Sequence, residues 1–201
     1  MKLILHRRNT KEQLQETDKK YGIEVDIRSV GKKLIIHHDP FVEGESFEEW
    51  IEEYQHGTLI LNVKEEGLED RLIDHMASMG IEDYFFLDQS FPFLLKSSKA
   101  GEHRCAVRVS EYESIETALA LAGYVEWVWV DCFTKFPLSG DDYQHLKRAG
   151  FKLCFVSPEL QGRASEKEIT AFAQLLYETN IYSEAVCTKR PDLWEKTVLS
   201  K

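Results

Sequence analysis

The sequence predicts an α/β fold, a compact (β/α)8 TIM barrel that forms a single domain over residues 1–201, with a short hairpin extension after the second strand. Three observations lead to this prediction. Eight short apolar runs alternate with eight helical patterns along the chain. Several of the helical patterns open on Ser or Thr with an acid nearby and close on Gly, as capped helices do. The chain has 201 residues, which is near the lower end for such a barrel.

The predicted strands are rich in β-branched and aromatic residues, and each is followed by a pattern with helical periodicity. In chain order the strands are KLILH (2–6), GIEVDI (22–27), TLILNVK (58–64), YFFLDQS (84–90), CAVRVS (105–110), WVWVDCF (127–133), KLCFVS (152–157) and EAVCTK (184–189). The helices between and after them are expected over 10–21, 46–55, 68–80, 90–101, 114–123, 139–150, 165–180 and 191–200. A doubly wound open sheet is the alternative, although no G-x-G-x-x-G or Walker motif supports it.

One further strand, KLIIHH (33–38), follows the second strand after only RSVGK. A parallel crossover needs a dozen or more residues, so this link predicts an antiparallel hairpin.

Composition excludes several classes of protein. The formal net charge is −10, from 25 basic and 35 acidic residues, which argues against nucleic acid as the main partner. The first apolar run is too short for a signal-peptide core, and no run approaches the ~18 apolar residues of a membrane span. Four cysteines without a C-x-x-C pair predict reduced, buried thiols in a cytoplasmic protein. The sequence does not indicate the oligomeric state.

Polar side chains gather where the predicted strands end, which is where barrel enzymes place their active sites. They occur in the first six strands and in the hairpin. The residues concerned are His6, Arg7, Glu24, Asp26, His38, Asn62, Lys64, Asp88, Arg108 and Asp131.

Strand alternation groups four of these residues. Side chains two positions apart share a face, so Glu24 and Asp26 point the same way, as do Asn62 and Lys64. Two adjacent carboxylates in a barrel mouth need a cation between them, or one of them must hold a proton. Oxygen ligands suit Mg²⁺ or Ca²⁺, and two nearby histidines could supply a general acid and a general base.

Each of these features also has an ordinary structural interpretation. An E-x-D pair is often a solvated strand face, a His-Asp-Pro phrase is often a turn, and Asp88 and Asp131 could cap helices. The first three β/α units, however, end in a histidine, an acid pair, a second histidine and an amide–lysine pair. This coincidence favours a functional site.

At these residues the chain resembles the glycerophosphodiester phosphodiesterase family. That family is one of the phosphatidylinositol-phospholipase-C-like barrels, which include the spider sphingomyelinase D enzymes. The resemblance lies in four phrases in the same order, over residues 3 to 64: ILHRRNT, GIEVDIRS, LIIHHDPF and LILNVKEE. Any one phrase is weak, whereas four in order are fairly specific.

The resemblance implies a metal-dependent hydrolase of a small-molecule phosphodiester, such as a glycerophosphodiester or a carbohydrate-linked one. It implies that His6 and His38 are the acid/base pair and that Lys64 stabilises the phosphate charge. It implies further that Glu24 and Asp26 bind Mg²⁺ or Ca²⁺. Arg7 would hold the phosphate or the carboxylate of a metal ligand. Asp88, Arg108 and Asp131 are further candidates for substrate binding, because they lie at later strand ends.

The sequence departs from the family pattern at three places. Arg8 stands where a Gly usually follows His-Arg, so the loop is expected to differ. Asn62 stands where the third metal ligand is normally acidic, so metal affinity is expected to be lower. The segment between His-Asp and the next barrel strand is short, which predicts reduced cover over the substrate.

Two other functions stay open. One is a non-catalytic barrel that binds a phosphorylated sugar or head group, which the missing third acid would allow. The other is an isomerase that uses Lys64 as a Schiff base, although neighbouring acids would raise the pKa of this lysine and disfavour it.

Overall fold

Eight parallel strands form one curled sheet in the computed structural model, which describes residues 1–199. These parallel strands are β1 (Lys2–Leu5), β2 (Gly22–Val30), β5 (Leu59–Val63), β6 (Tyr84–Leu87), β7 (Ala106–Val109), β8 (Trp127–Val130), β9 (Lys152–Val156) and β10 (Ala185–Thr188). β1 lies between β2 and β10, and the sheet runs from β2 through β5 to β6 on one side and from β10 through β9 and β8 to β7 on the other.

The two ends of this sheet meet at a narrow seam between β6 and β7. There the pairing is a single parallel bridge, Phe86 to Cys105, in which the Phe86 N–H donates to the Arg104 carbonyl at 2.8 Å. The predicted α/β class and the TIM-barrel-like order of the strands are confirmed. This single bridge is much less extensive than the ladders between the other neighbouring parallel strands.

The predicted hairpin is also present. β2 continues past its barrel segment and pairs antiparallel with β3 (Lys33–Ile36), from Ile27 opposite Ile36 to Val30 opposite Lys33. Gly31 takes the left-handed backbone (φ 60°) that this tight turn requires. A two-residue strand, β4 (Glu45–Ser46), pairs with β3 on its other side.

Eight α-helices were predicted, and eight lie in the described part of the chain, several of them shorter than expected. They are α1 (Lys11–Glu16), α2 (Phe47–Ile51), α3 (Glu69–Met79), α4 (Phe91–Lys99), α5 (Ile115–Leu119), α6 (Gly140–Arg148), α7 (Glu166–Glu178) and α8 (Pro191–Leu199). Helix α1 was predicted to reach residue 21 but ends early because Thr17 takes an extended backbone and its hydroxyl donates to the Gln13 carbonyl. A 3₁₀ helix (Pro158–Gln161) follows β9. The predicted last residue of α8, Ser200, lies outside the described residues.

Side-chain alternation divides the buried residues into two cores. Ile23, Val25 and Ile27 of β2 pack outward against the helices, as predicted. A smaller inner core fills the space enclosed by the sheet, where the rings of Phe85 and Trp127 stack at 4.4 Å. The alternation therefore sends Glu24 and Asp26 into the interior, at the level where the strands end.

The cysteines are all free and buried, in agreement with the prediction of reduced thiols. Among residues 1–199, none of the helices is long and apolar enough to cross a bilayer.

Candidate active site

Glu24 is a fully buried charged group at the centre of the site, with no exposed surface. One oxygen, Oε1, accepts a hydrogen bond from the Asn62 amide at 2.7 Å. The other, Oε2, accepts one from the Arg7 backbone N–H at 2.7 Å and lies 3.8 Å from Nε2 of His6. The ends of β1, β2 and β5 thus meet at this carboxylate.

Asp26 lies two residues further along β2 and is equally buried. Its Oδ2 accepts a hydrogen bond from the Asn9 amide at 2.9 Å and lies 3.3 Å from Nε of Arg7. Its Oδ1 lies 3.4 Å from Nζ of Lys64. The Asp26 carboxylate therefore lies between the guanidinium of Arg7 and the ammonium of Lys64.

The ion pairs continue from Lys64 across the seam to the far side of the sheet. Nζ of Lys64 lies 2.8 Å from Asp88, Asp88 pairs with Arg108, and Arg108 pairs with Asp131 at 2.8 Å. Burial alone would raise the pKa of Asp88, but Lys64 and Arg108 outweigh it and lower that pKa. The structure thus brings Lys64, Asp88, Arg108 and Asp131 into one chain of contacts.

Arg7 and Asp88 adopt left-handed backbones, with φ of 52° and 59°, which is uncommon for residues other than glycine. Strict alternation would turn both side chains away from the interior, because His6 and Leu87 before them point inward. The left-handed turn redirects each side chain to its interior partner. The left-handed backbone therefore falls on Arg7, and Arg8 is not among the residues with positive φ. Such strain commonly occurs at functional sites.

Burial and neighbouring charges shift the acid–base behaviour of the central groups. Burial, aided by the cations Arg7, Lys189 and Lys64, lowers the pKa of His6 to about 3, so its imidazole is neutral at neutral pH. Burial and the charge of Asp26 raise the pKa of Glu24. The carboxylate at the centre of the site is therefore short of positive charge.

His38 follows β3, and its side chain is 42% exposed, with Nδ1 2.8 Å from the Asp39 carboxylate. Its carbonyl accepts two hydrogen bonds from the Arg28 guanidinium. His37 continues the hairpin, because its N–H donates to the Asp26 carbonyl at 3.1 Å.

The three candidate metal ligands offer two carboxylates and one amide. Within residues 1–199 no group of three or more His, Cys, Asp or Glu side chains is placed to hold a metal ion, so a site here depends on Asn62. Two buried oxygens, Oδ1 of Asn62 and Oδ1 of Asp26, have no hydrogen-bond donor among the described residues. In the same part of the chain, no Lys or Arg side chain lies within 4.0 Å of the Glu24 carboxylate. An oxygen set with this shortage of positive charge fits a hard divalent cation.

Three residues of the site were not found by sequence reasoning: Asn9, Arg28 and Gln161. Asn9 also accepts a hydrogen bond from the Asp26 N–H at 3.1 Å, and Gln161 donates to Asp131. Arg28 could have been found, because it continues the Glu24–Asp26 alternation by one more step. Asn9 and Gln161 lie outside the strands, where alternation gives no signal.

A cavity of about 590 Å³ opens at the seam. Three consecutive residues of β7, Ala106, Val107 and Arg108, line this cavity. The side chains of Ala106 and Arg108 point inward, whereas that of Val107 points outward. The cavity therefore passes between β6 and β7, with Asp88 and Arg108 at its inner side and Tyr112 at its surface.

Together, the curled parallel sheet and the polar cluster at its carboxyl end are those of a TIM-barrel-like α/β protein. Among solved structures, the chain is similar to a glycerophosphodiester phosphodiesterase from Agrobacterium tumefaciens, with a TM-score of 0.70, 14% identity, and coverage of 97% of this chain and 99% of that one. It is also similar to a glycerophosphoryl diester phosphodiesterase from Parabacteroides distasonis, with a TM-score of 0.68, 12% identity, and coverage of 99% and 86%. The chain therefore has a glycerophosphodiester phosphodiesterase-like fold.

A tryptophan synthase α-subunit from Pyrococcus furiosus matches with a TM-score of 0.55 and 12% identity, covering 92% of this chain and 85% of that one. Proteins of different activity thus share the architecture, so fold alone does not define the reaction. No protein-family model matches the chain, and no curated protein sequence matches it.

Proposed function

We propose that this chain is a metal-dependent phosphodiester hydrolase that acts on a glycerophosphodiester or a related alcohol- or carbohydrate-linked phosphodiester. The observation that carries the proposal is Glu24, a buried carboxylate with an imidazole at 3.8 Å and no Lys or Arg within 4.0 Å among the described residues. Both solved structures with the higher TM-scores are named for hydrolysis of this ester class.

Glu24, Asp26 and Asn62 would hold the cation, Mg²⁺ or Ca²⁺, through their side-chain oxygens. When bound, such an ion supplies Lewis-acid polarisation of a phosphoryl oxygen. The ligand atom of Asn62 would be Oδ1, which is buried and has no hydrogen-bond donor among the described residues. Because an amide carries no charge, we expect weak binding that strengthens when an acid replaces it.

Lys64 and Arg7 are cations of the site, and both lie beside the Asp26 carboxylate. Their charges would stabilise the negative charge that accumulates on the phosphoryl oxygens in the transition state. The ammonium of Lys64 is held by Asp26 at 3.4 Å and Asp88 at 2.8 Å. This double pairing suits a fixed charge and disfavours the Schiff-base role, which needs a free amine.

His6 and His38 would carry the proton transfers. One imidazole takes the proton of the attacking hydroxyl, whether of water or of the substrate's own alcohol, and the other protonates the departing oxygen. His6 is fixed beside Glu24, whereas His38 is partly exposed on the hairpin side of the site.

Asp88, Arg108 and Asp131 would bind the alcohol part of the substrate. Asp88 and Arg108 line the inner side of the seam cavity, and Asp131 adjoins Arg108. Carboxylate and guanidinium groups hydrogen-bond hydroxyls well, so a glycerol or sugar group suits this position.

The second candidate is a barrel that binds a phosphorylated sugar or head group without catalysis. The hydrogen bond from the Asn62 amide to Glu24 favours it, because it gives Glu24 a partner without any metal. Hydrolysis distinguishes the two functions.

The test is a panel of glycerophosphodiesters and a bis-aryl phosphate, assayed with Mg²⁺, Ca²⁺, Mn²⁺ or EDTA. We expect alcohol release that requires a divalent ion and disappears in the double variant His6→Ala/His38→Ala. Equal rates for the wild-type protein and this variant with every ion would refute hydrolysis. Binding of glycerol phosphate without turnover would then support the second candidate.

A further inference from the structure

Arg28 joins the two sides of the candidate active site through its guanidinium. Its Nε and Nη2 donate to the His38 carbonyl at 3.1 and 2.9 Å. Its Nη1 donates to the Lys64 carbonyl at 3.0 Å. A single half-buried side chain thus holds the backbone of both residues.

The two residues held by Arg28 follow different strands. β3 pairs with β2 antiparallel on one side, and β5 pairs with β2 in parallel on the other. The β2–β5 ladder ends at Ile27 opposite Val63, and the Lys64 N–H then donates to the Ile27 carbonyl at 2.9 Å. The β2–β3 ladder starts at Ile27 opposite Ile36 and includes Arg28 opposite Ile35. Arg28 therefore lies on the strand between the two segments.

The residue before His38 is also held to the sheet, because the His37 N–H donates to the Asp26 carbonyl at 3.1 Å. The His38 imidazole is bonded to Asp39, the next residue along the same segment, and the side chain is 42% exposed. The following residues include Phe41, which is fully exposed and left-handed with φ of 61°. The two hydrogen bonds from Arg28 therefore extend the attachment to the sheet by one residue, to the His38 carbonyl.

We propose that Arg28 is a positioning residue that fixes His38 relative to Lys64. This inference rests on the proposed function, in which His38 transfers a proton and Lys64 stabilises charge on the same phosphate. The planar guanidinium donates in two directions at once, whereas an ammonium is a compact point charge with a different reach. Lysine at position 28 would therefore restore only part of the positioning of His38 relative to Lys64.

The experiment compares Arg28→Ala and Arg28→Lys with Arg71→Ala. Arg71 is the matched control, because its guanidinium also donates to a backbone carbonyl, that of Lys32, but on the outer side of the barrel at α3. Steady-state kinetics on the best phosphodiester of the panel would be combined with hydrogen–deuterium exchange of residues 37–44. Misplaced catalytic groups reduce turnover more than binding.

For Arg28→Ala we expect kcat to fall about 10- to 100-fold with KM changed less than about threefold, and exchange at 37–44 to accelerate. Arg28→Lys should lie between it and the wild type, and Arg71→Ala should match the wild type. Unchanged kcat with unchanged exchange overturns the proposal. A rise in KM alone also overturns it, because that result makes Arg28 a substrate ligand.

The exchange readout also separates the failure of this inference from the failure of the proposed function. If the wild-type protein hydrolyses no phosphodiester, faster exchange confined to 37–44 in Arg28→Ala still supports the positioning of His38. Should Arg28→Ala fail to fold, Arg28→Lys decides: exchange at 37–44 equal to that of the wild type would contradict the proposal.

Discussion

The strand ends on the two sides of the sheet differ in how completely their polar groups are paired. On the side of β7 to β10, both carboxylate oxygens of the central acid, Asp131, accept hydrogen bonds, from Arg108, Trp129 and Gln161, and Arg163 Nε is a buried atom without a partner among residues 1–199. On the side of β1, β2 and β5, several buried polar atoms have no hydrogen-bond partner within residues 1–199, among them His6 Nδ1, Asp26 Oδ1 and Asn62 Oδ1.

This difference indicates which side carries the chemistry. Native proteins leave few buried polar groups unpaired, and those that remain unpaired commonly mark functional sites. The paired side is expected to contribute stability and to orient the substrate. The unpaired side is expected to take a cation and a phosphate, which would complete its contacts.

The largest effect on activity should come from the histidines of the unpaired side. We expect His6→Ala or His38→Ala to reduce kcat by about 10²- to 10⁴-fold, because each removes a proton-transfer group. His145→Ala, an exposed histidine on α6, should leave kcat unchanged. A kcat within twofold of the wild type for both active-site variants would remove the acid–base assignment.

The next effect concerns stability and falls on the paired side. Arg108→Ala leaves Asp131 buried without its guanidinium, so we expect the free energy of unfolding to drop by roughly 3 kcal/mol. Urea unfolding of this variant and of Arg148→Ala, an exposed control, would measure it. Equal free energies of unfolding for the two variants would show that the stability of the paired side does not depend on the Arg108–Asp131 ion pair.

Asn62→Asp tests the unpaired side by supplying the acid that the family pattern has at this position. Without metal, two buried carboxylates would face each other, so we expect a lower melting temperature than that of the wild type. With Mg²⁺ or Ca²⁺, we expect about tenfold tighter binding by calorimetry. Gln144→Glu, the same change of charge on exposed α6, controls for net charge. Unchanged affinity in Asn62→Asp would argue against Asn62 as a ligand.

The smallest effect concerns Glu111, another hydrogen-bonded carboxylate of the paired side. It accepts N–H hydrogen bonds from Phe133 at 3.1 Å, Thr134 at 2.6 Å and Lys135 at 2.8 Å. Slight burial opposes ionisation, but these donors outweigh it and lower the pKa of Glu111 to about 2. The ionised form thus stabilises the folded state above the ordinary pKa of about 4.5, and this contribution is lost as the pH falls towards 2.

We expect Glu111→Gln to be less stable than the wild type at pH 7, by about 1 kcal/mol, and the difference to shrink as the pH falls below 4.5. Denaturant unfolding at several pH values would measure it, with exposed Glu52→Gln as the control. A difference that stays constant from pH 7 to pH 3 would show that these hydrogen bonds do not depend on the carboxylate charge.

Much of the fold could be predicted because the spacing of apolar residues along a strand or helix indicates which side chains are buried. The alternation in GIEVDI correctly placed Val25 on the helix side and Glu24 inside. Helix ends were less predictable, since the end of α1 depends on the backbone angle of Thr17 and on one side-chain hydrogen bond. No sequence pattern predicted that β6 and β7 would pair through a single bridge.

For the candidate site, the sequence indicated which residues meet but not how they pair. Alternation could not reveal that Arg7 and Asp88 turn inward, because their left-handed backbones break the pattern. The pairing of Asp88 with both Lys64 and Arg108 depends on the register of three strands, which a single sequence does not define. Arg28 could have been predicted, because it lies two residues after Asp26 on the same strand and alternation therefore gives it the same face as Glu24 and Asp26.

The most direct test is a crystal structure of the protein soaked with Mn²⁺ and glycerol phosphate, with anomalous scattering used to locate the metal. The predicted result is a Mn²⁺ peak within ligand distance of Glu24, Asp26 and Asn62, with the phosphate between His6 and His38. A phosphate bound elsewhere, with no metal peak beside Glu24, would contradict the proposed active site.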